Sequence, residues 1–350
     1  MQVTTIGLDL AKSVFQVHGI DATGRMVVAK RLRRGQVLAF FAKLPRCVVG
    51  LEACSTAHHW GRELAQLGHE VRLMPPAYVK PYVRRGKNDA ADAAAICEAV
   101  TRPSMRFVPV KSIEQQAALM AHRSRDLLIR QRTQLINALR GHLAELGLVA
   151  AQGREGVATL IGLVRTQAAP ALPAAVRAAL MPLIDQLEAL QQQLAALDKA
   201  IHAQHHASEA SRRLETIPGI GVIGATAIAA TITDPGAFKS GRDLAAWIGL
   251  VPRQSSSGGK DRLGSISKQG DRYLRKLLVV GASAVLRHAR SHPDKHPWLM
   301  QLLARRPAKV AIVALANKMA RIAWAVLSRG ETYRAPMLAA SATKGSAMAA

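Results

Sequence analysis

Aromatic residues are scarce in this 350-residue chain, at 4% of the total, and acids are outnumbered, with 23 Asp plus Glu against 48 Lys plus Arg. Its cores must therefore be built from Leu, Ala, Val and Ile. An apolar content of 49% allows this, and the length is enough for two domains with cores of their own. The shortage of acid leaves a formal net charge of +25 and a sequence pI near 11.1. Such an excess calls for a polyanionic partner, because each neutralised phosphate releases counterions. The basic residues are spread along the chain rather than gathered on one amphipathic face, which favours nucleic acid over a membrane surface. A highly basic protein with no such partner is the plain alternative.

Cysteine is nearly absent too. Cys47, Cys54 and Cys97 make an odd count without a CxxC spacing. Cys47 and Cys54 flank one buried strand and read as small core residues. The histidine pairs His58-His59 and His205-His206 lack partners at zinc-finger spacing, so no zinc site is read. The chain enters a strand directly, without the basic, apolar and small-residue order of a signal peptide. Apolar stretches such as 219–232 fall short of the roughly 20 residues that span a bilayer. These features lead us to expect a soluble, cytoplasmic protein of a reducing compartment, with no membrane partner.

Strands are expected over 2–9, 13–20 and 25–31, with a hairpin turn at Asp21–Gly24. A helix over 35–44, a buried strand 47–53, a helix 56–67 stopped by Gly68 and a strand 69–74 follow. Three strands and then alternating helix and strand is the order of a mixed RNase H-like α/β sheet. After the irregular basic segment PPAYVKPYVRRGKN comes a helix over 89–100. The region 113–148 is helical. Leu183, Leu187, Leu190, Leu194, Leu197 and Ile201 then form a stripe of about three heptads, open to either an intramolecular hairpin or oligomerisation. The segment LETIPGIGVIGATAIAATI resembles a helix-hairpin-helix motif. Gly219 and Gly221 would permit close backbone approach and offer helix N-terminal amides to a phosphate. A tight turn between packed helices is the plain alternative. Helices at 240–248, 269–290 and 308–328 complete an α-rich region, and the Ala- and Ser-rich tail from Glu331 is expected to fray.

Against this basic background four acids stand out. Asp9 lies in the first strand, Glu52 closes the apolar run CVVGLEA, and Asp89 and Asp92 open a helix. At i and i+3 the last two share a helix face. Carboxylates from two strands and a helix can converge and hold hard divalent cations through oxygen, Mg²⁺ or Mn²⁺. Each acid also has a plainer reading. Asp89 suits a helix dipole, and Asp9 could end a strand or face ATP in an actin-like kinase fold. Glu52 is the hardest to dismiss, because an unpaired charge on a central strand is costly. Arg84, Arg85 and Lys87 are placed for phosphate contact, or simply form a solvated loop.

The stretch WIGLVPRQSSSGGKDRLGSISKQGDRYLRKLL sets three serines in a flexible, cationic loop. A serine hydroxyl can attack a phosphodiester and conserve its bond energy as a phosphoester. Arg253, Lys260, Arg262 and Lys268 could stabilise the charge that develops, with Arg272 beyond them as a further phosphate contact. Ser-Gly loops are ordinarily only loops, and no general base is obvious beside these residues.

Taken in order, GLDLAKSVFQVHG, GLEA, RRGKNDAADAAAI, IPGIG and GLVPRQSSSGGKDRLGSISKQGDRYLR resemble the DEDD-type insertion-sequence transposases, the group related to the Piv and MooV DNA invertases. The resemblance covers residues 1–330. It implies a RuvC-like DEDD domain over 1–105, a helical coiled-coil section over 106–210 and a C-terminal transposase domain over 211–330, with a flexible tail at 331–350. Asp9, Glu52, Asp89 and Asp92 occupy the four DEDD positions as metal ligands, and Ser257, the last serine before the glycine, is implied as nucleophile. The family also implies donor and target DNA, a guide non-coding RNA, and a dimer or tetramer whose subunits share composite sites. The expected activity is excision and insertion of a mobile element through a covalent serine–DNA intermediate. The rivals are a metal-dependent nuclease of Holliday-junction-resolvase type and a non-enzymatic nucleic-acid scaffold.

Overall fold

Burial along the first strands shows how the sheet is covered. In β1 (Thr5–Asp9) Ile6, Gly7 and Leu8 are consecutively buried, as in a central strand covered on both faces. β2 (Val14–Ile20) alternates buried and half-buried residues, and β3 (Met26–Arg33) is an exposed edge carrying Lys30, Arg31 and Arg33. α1 (Val37–Phe41), β4 (Val48–Glu52), α2 (Ala57–Gln66), β5 (Glu70–Met74), α3 (Pro76–Val79) and α4 (Asp89–Val100) follow. The sheet order is β3-β2-β1-β4-β5. β1, β2 and β3 pair antiparallel, whereas β4 runs parallel to β1 and β5 parallel to β4. The computed structural model describes residues 2–83, 88–166 and 172–334, so Arg84, Arg85 and Lys87 lie outside the described residues.

The chain divides into two compact units, Met1–Ala117 and Ala118–Ala350. The core of the first combines Ile6, Leu8, Phe15, Val49 and Leu51 of the sheet with Phe41, Trp60 and Leu64 of the helices. Phe15 meets Trp60 edge-on with ring centroids 4.9 Å apart. On the other face α4 lies against β1, and the contact is tight. A Cβ on Gly7 would overlap the Ala93 carbonyl oxygen and the Cys97 amide of α4, and one on Gly50 would strike Val100. The two missing side chains let α4 settle directly on the central strands.

Helices dominate after that: α5 (Ile113–Ala144), α6 (Arg154–Arg165), α7 (Ala174–Ala207), α8 (Glu209–Glu215), α9 (Val222–Thr231) and α10 (Gly241–Ile248). A short hairpin of β6 (Pro252–Gln254) and β7 (Leu263–Ile266) interrupts them before α11 (Arg272–Ser291), α12 (Pro297–Arg305) and α13 (Ala308–Arg329). α5 and α7 run antiparallel: Leu139 and Leu143 share a cluster with Leu180 and Ile184, while nearer the other ends Arg125 pairs with Asp198. Leu187, Leu190, Leu194 and Ile201 of the heptad stripe are buried within this single chain, which favours the intramolecular use of the stripe. α7 begins at Ala174 and runs through Pro182, upstream of the stripe.

Buried polar groups tie these helices together. His122 of α5 is fully buried, with Nε2 3.0 Å from Thr226 Oγ1 on α9 and Nδ1 3.2 Å from Tyr273 Oη on α11. Burial and the nearby Arg125 charge push its pKa down to about 4, so it bonds as a neutral ring. A serine–histidine–glutamate arrangement of Ser211, His205 and Glu215 joins α7 to α8. Ser211 is wholly enclosed, so this grouping braces helices rather than meeting a substrate. By length and composition α13 is apolar enough to cross a membrane, which corrects the expectation that no stretch reaches that length. Its Ala316, Met319, Ala320 and Ala323 pack in the main helical core.

Gly7→Ala should destabilise the first unit by about 3 kcal/mol, because backbone rather than a yielding side chain fills the space. Urea denaturation followed by Trp60 emission measures this. Gly35→Ala, where a Cβ meets nothing within 4 Å, is the control and should change stability by less than about 0.5 kcal/mol.

Candidate metal centre and serine hairpin

β1 and β4 pair in parallel with Leu8 opposite Leu51, so the next residues, Asp9 and Glu52, come out level at the carboxyl ends of adjacent strands. In open α/β sheets this is the edge where ligands bind. α4 brings the other two acids. Asn88 caps that helix, its side-chain oxygen accepting the Ala91 amide at 2.7 Å, and Asp89 and Asp92 fill the first turn. Since Asn88 does the capping, Asp89 is not needed for it. Ligand oxygens of Asp9, Asp89 and Asp92 all lie within 4.8 Å of one another.

Glu52 stands at the margin of this trio rather than inside it. Burial raises its pKa first, and the negative charges of Asp9 and Asp92 raise it further. The donor set is oxygen only and strongly anionic, which suits a hard divalent cation such as Mg²⁺ or Mn²⁺. Three carboxylates so close repel one another unless a cation sits among them. The residues therefore fit the metal that the sequence pattern implies.

Two neighbours of Glu52 escaped the sequence reading. Cys54, expected in the core, is exposed; partial burial, then the charges of Glu52 and Asp9, raise its thiol pKa and keep it protonated. Cys47 is buried as expected and its thiol is pushed up to about 11. Thr56 adopts φ 78°, an uncommon left-handed conformation for a β-branched residue, in the turn that leads from Glu52 into α2. No sequence signal marks a threonine for that conformation.

The serine stretch is ordered as a hairpin, not as the flexible loop expected. Ser257 bridges Lys260 across Gly258 and Gly259, whose φ values of 56° and 74° suit a two-residue type I′ turn. The Ser255 amide donates to Arg262 O at 2.9 Å and the Lys260 amide to Ser257 O at 3.0 Å. Ser256 and Asp261 thus face each other in the intervening pair, where side chains approach most closely. Ser256 Oγ donates to Asp261 Oδ1 at 2.9 Å and accepts from Gln254 Nε2 at 3.0 Å. The carboxylate partner that seemed to be missing is four residues past the last serine.

The remaining expected phosphate contacts are scattered over the second unit. Arg253, Lys260, Arg262, Lys268 and Arg272 are all exposed, the first three on the hairpin and Arg272 at the start of α11. Arg253 reaches back to donate to Ser267 O at 3.3 Å. Gly221 caps α9 with open space beside it, whereas a Cβ on Gly219 would strike Val285, Met319 and the Gly281 carbonyl. That environment supports the packed-turn reading of Gly219.

Without divalent ions, Glu52→Gln should raise the melting temperature of the first unit at pH 7. Folding raises this carboxyl's pKa, so its ionisation costs stability as pH climbs from the unfolded pKa through the folded one. The gain should vanish near pH 3, where both states are protonated. Mg²⁺ at a hundredfold excess over its Kd should stabilise the wild type by about 2.7 kcal/mol and leave Asp92→Asn unchanged. Differential scanning calorimetry with and without EDTA reads both effects.

Comparison with known proteins agrees with this layout. Residues 6–147 match the DEDD-type IS110 model described as a transposase, and residues 211–297 match the one described as the transposase IS116/IS110/IS902 family. The probable family 20 transposase of Pseudomonas aeruginosa is 52% identical over 336 residues, spanning 95% of this chain and 99% of its own length. The transposase for insertion sequence element IS1111A of Coxiella burnetii is 41% identical over 333 residues, spanning 95% of this chain and 92% of its own. That for element IS1328 of Yersinia enterocolitica is 39% identical over 332 residues, again across 95% of this chain. With its acids on β1, β4 and α4 and both family segments in order, this chain belongs to the DEDD-type IS110 family of transposases.

Proposed function

We propose that this transposase excises and inserts its element by serine-mediated strand exchange supported by a divalent metal centre. The observation that carries the reading is the convergence of Asp9, Asp89 and Asp92, with Glu52 beside them, at the carboxyl edge of the sheet. The strand order, antiparallel through β1 and then parallel through β4 and β5, supports an RNase H-like, RuvC-type domain. A bound Mg²⁺ or Mn²⁺ would supply Lewis-acid stabilisation of the phosphoryl charge. Asp9, Asp89 and Asp92 would hold and orient it, with Glu52 beside them.

The hairpin supplies the nucleophile. The sequence favours Ser257, but the hydrogen bond to Asp261 supports Ser256, whose hydroxyl already has an acceptor for its proton. Attack by the serine oxygen forms a P–O bond as the bond to one sugar oxygen breaks. The serine proton passes to Asp261, and the departing sugar oxygen takes up a proton from solvent to leave as a hydroxyl. Arg253, Lys260 and Arg262 are exposed on the same hairpin and add positive charge to it, although strand alternation sets them on the face opposite Ser256. In the α8–α9 turn Gly219 is taken up by packing, while Gly221 at the start of α9 has open space beside it and suits a backbone grip on DNA. Donor and target DNA are the substrates. The net charge of +25 accords with a further guide RNA, the part of the reading drawn from the family alone. The same source supplies a dimer or tetramer, and DNA as substrate accords with the cytoplasmic, nucleoid-associated site of action expected.

The test is excision and circle formation from an intact element with its flanks, in cells, at matched protein levels. Asp9→Asn and Ser256→Ala should abolish the product and the protein-linked DNA recovered under denaturing conditions. Ser257→Ala should retain both, and Asp261→Asn should slow excision by about 10²-fold or more. Loss with Ser257→Ala but not Ser256→Ala would return the role to Ser257. Recombination in both serine variants without an adduct would favour the metal-only nuclease, and indifference to all four acids the scaffold.

A further inference from the structure

α13 is apolar around more of its circumference than the core uses. One face, with Ala316, Met319, Ala320 and Ala323, is buried in the C-terminal core. On the other, Val310, Val313, Ala314, Asn317 and Arg321 recur at helical spacing and floor an open groove of about 1220 Å³. That exceeds the roughly 300–1,000 Å³ of small-molecule pockets, so the occupant is larger than a single metabolite. Val310 is 48% exposed and Trp298 40% exposed, so both offer apolar surface to an occupant of the groove.

Charge identifies the occupant. Arg242, Lys309, Lys318 and Arg321 line the groove, and no acid among the described residues does. Lys318 Nζ lies 4.4 Å from the centroid of the Trp298 ring. Flat apolar surface, an exposed indole and cations along one groove are the elements that hold unpaired nucleotides: bases stack and phosphates meet lysine and arginine. A protein partner would leave four cations to be matched one by one, and a bilayer requires a convex face rather than a groove.

Position adds a second argument. Pro252, Gly264, Ser265 and Ile266, at the base of the serine hairpin, form a wall of the same groove. Ser256 stands four residues beyond Pro252, roughly 13 Å of extended chain. We propose that the groove binds unpaired nucleotides of the DNA being processed, flanking the phosphodiester presented to the hairpin. This rests on the strand-exchange reading and adds to it a single-strand site in which Trp298 stacks and Lys309, Lys318 and Arg321 pair with phosphates.

Fluorescence anisotropy of the full-length protein with a short fluorescein-labelled DNA single strand tests it, beside the same sequence as a duplex and as RNA. Trp298→Ala should weaken single-strand binding roughly tenfold while Trp298→Phe stays within about threefold of wild type. Lys309→Ala with Lys318→Ala should also weaken it and flatten its salt dependence. Duplex affinity should change by less than about twofold in all of them. Circular dichroism confirms that each variant is folded. Asp9→Asn should bind the single strand like wild type, so an error in the catalytic assignment would leave this result standing. Single-strand affinity unchanged in both the tryptophan and lysine variants would overturn the proposal. So would tighter binding of the RNA strand than of the DNA strand, or a drop in mass by light scattering for Trp298→Ala, which would assign the groove to a second copy of the chain.

Discussion

The closeness of α4 to the central strands is the constraint on which the site depends. Without side chains at Gly7 and Gly50, the helix backbone rests on β1 and β4, and its first turn arrives beside the strand ends that carry Asp9 and Glu52. A methyl group at Gly7 would lift the helix and carry Asp89 and Asp92 away from Asp9. Packing and chemistry are therefore one problem in this unit. The residues that make the contact tight are those with nothing to add chemically, and those that carry charge on the strands sit two positions beyond them. The mutual repulsion of the acids is tolerated because the hydrophobic core beneath, built on Phe15, Phe41, Trp60 and Leu64, holds the sheet and helices in place.

Different physical rules govern the second unit. Buried polar links, such as His122 with Thr226 and Tyr273, fix helices that simple apolar packing would leave free to slide. From this helical mass the β6–β7 hairpin projects with almost every side chain exposed, stabilised by its own turn and cross-strand bonds. On the proposed reading, a serine nucleophile on such a projection is reachable by a large, stiff substrate, which one in a closed pocket would not be. Its hydroxyl needs a local acceptor because no buried network is at hand, and Asp261 across the strand pair provides one.

Much of this was legible in the sequence, for identifiable reasons. The buried strands around Ile6–Leu8 and Val49–Leu51 are runs of apolar residues that only a covered sheet explains, and the acids closing them were conspicuous in a chain so basic. The spacing of Asp89 and Asp92 placed both on one face of a helix, and the structure brings them to Asp9. What stayed hidden depends on contacts or breaks a local rule. Pro182 reads as a helix breaker, yet α7 runs through it because packing at Leu180 and Ile184 outweighs a lost hydrogen bond. The helix Arg154–Arg165 lies between glycine and Ala-Pro segments that mask its apolar face. The hairpin lacks alternation because neither face is buried, so its serines read as loop and the pairing of Ser256 with Asp261 could not be seen.

In the proposed mechanism the acids at the ends of β1 and β4 and in the first turn of α4 form one divalent-cation site. Anomalous diffraction from crystals of the full-length protein soaked in Mn²⁺ tests it most directly. A manganese peak is expected with carboxylate oxygens of Asp9, Asp89 and Asp92 at about 2.1 Å, lost in Asp9→Asn crystals. A peak elsewhere, or none at a Mn²⁺ concentration that stabilises the protein in solution, would contradict it.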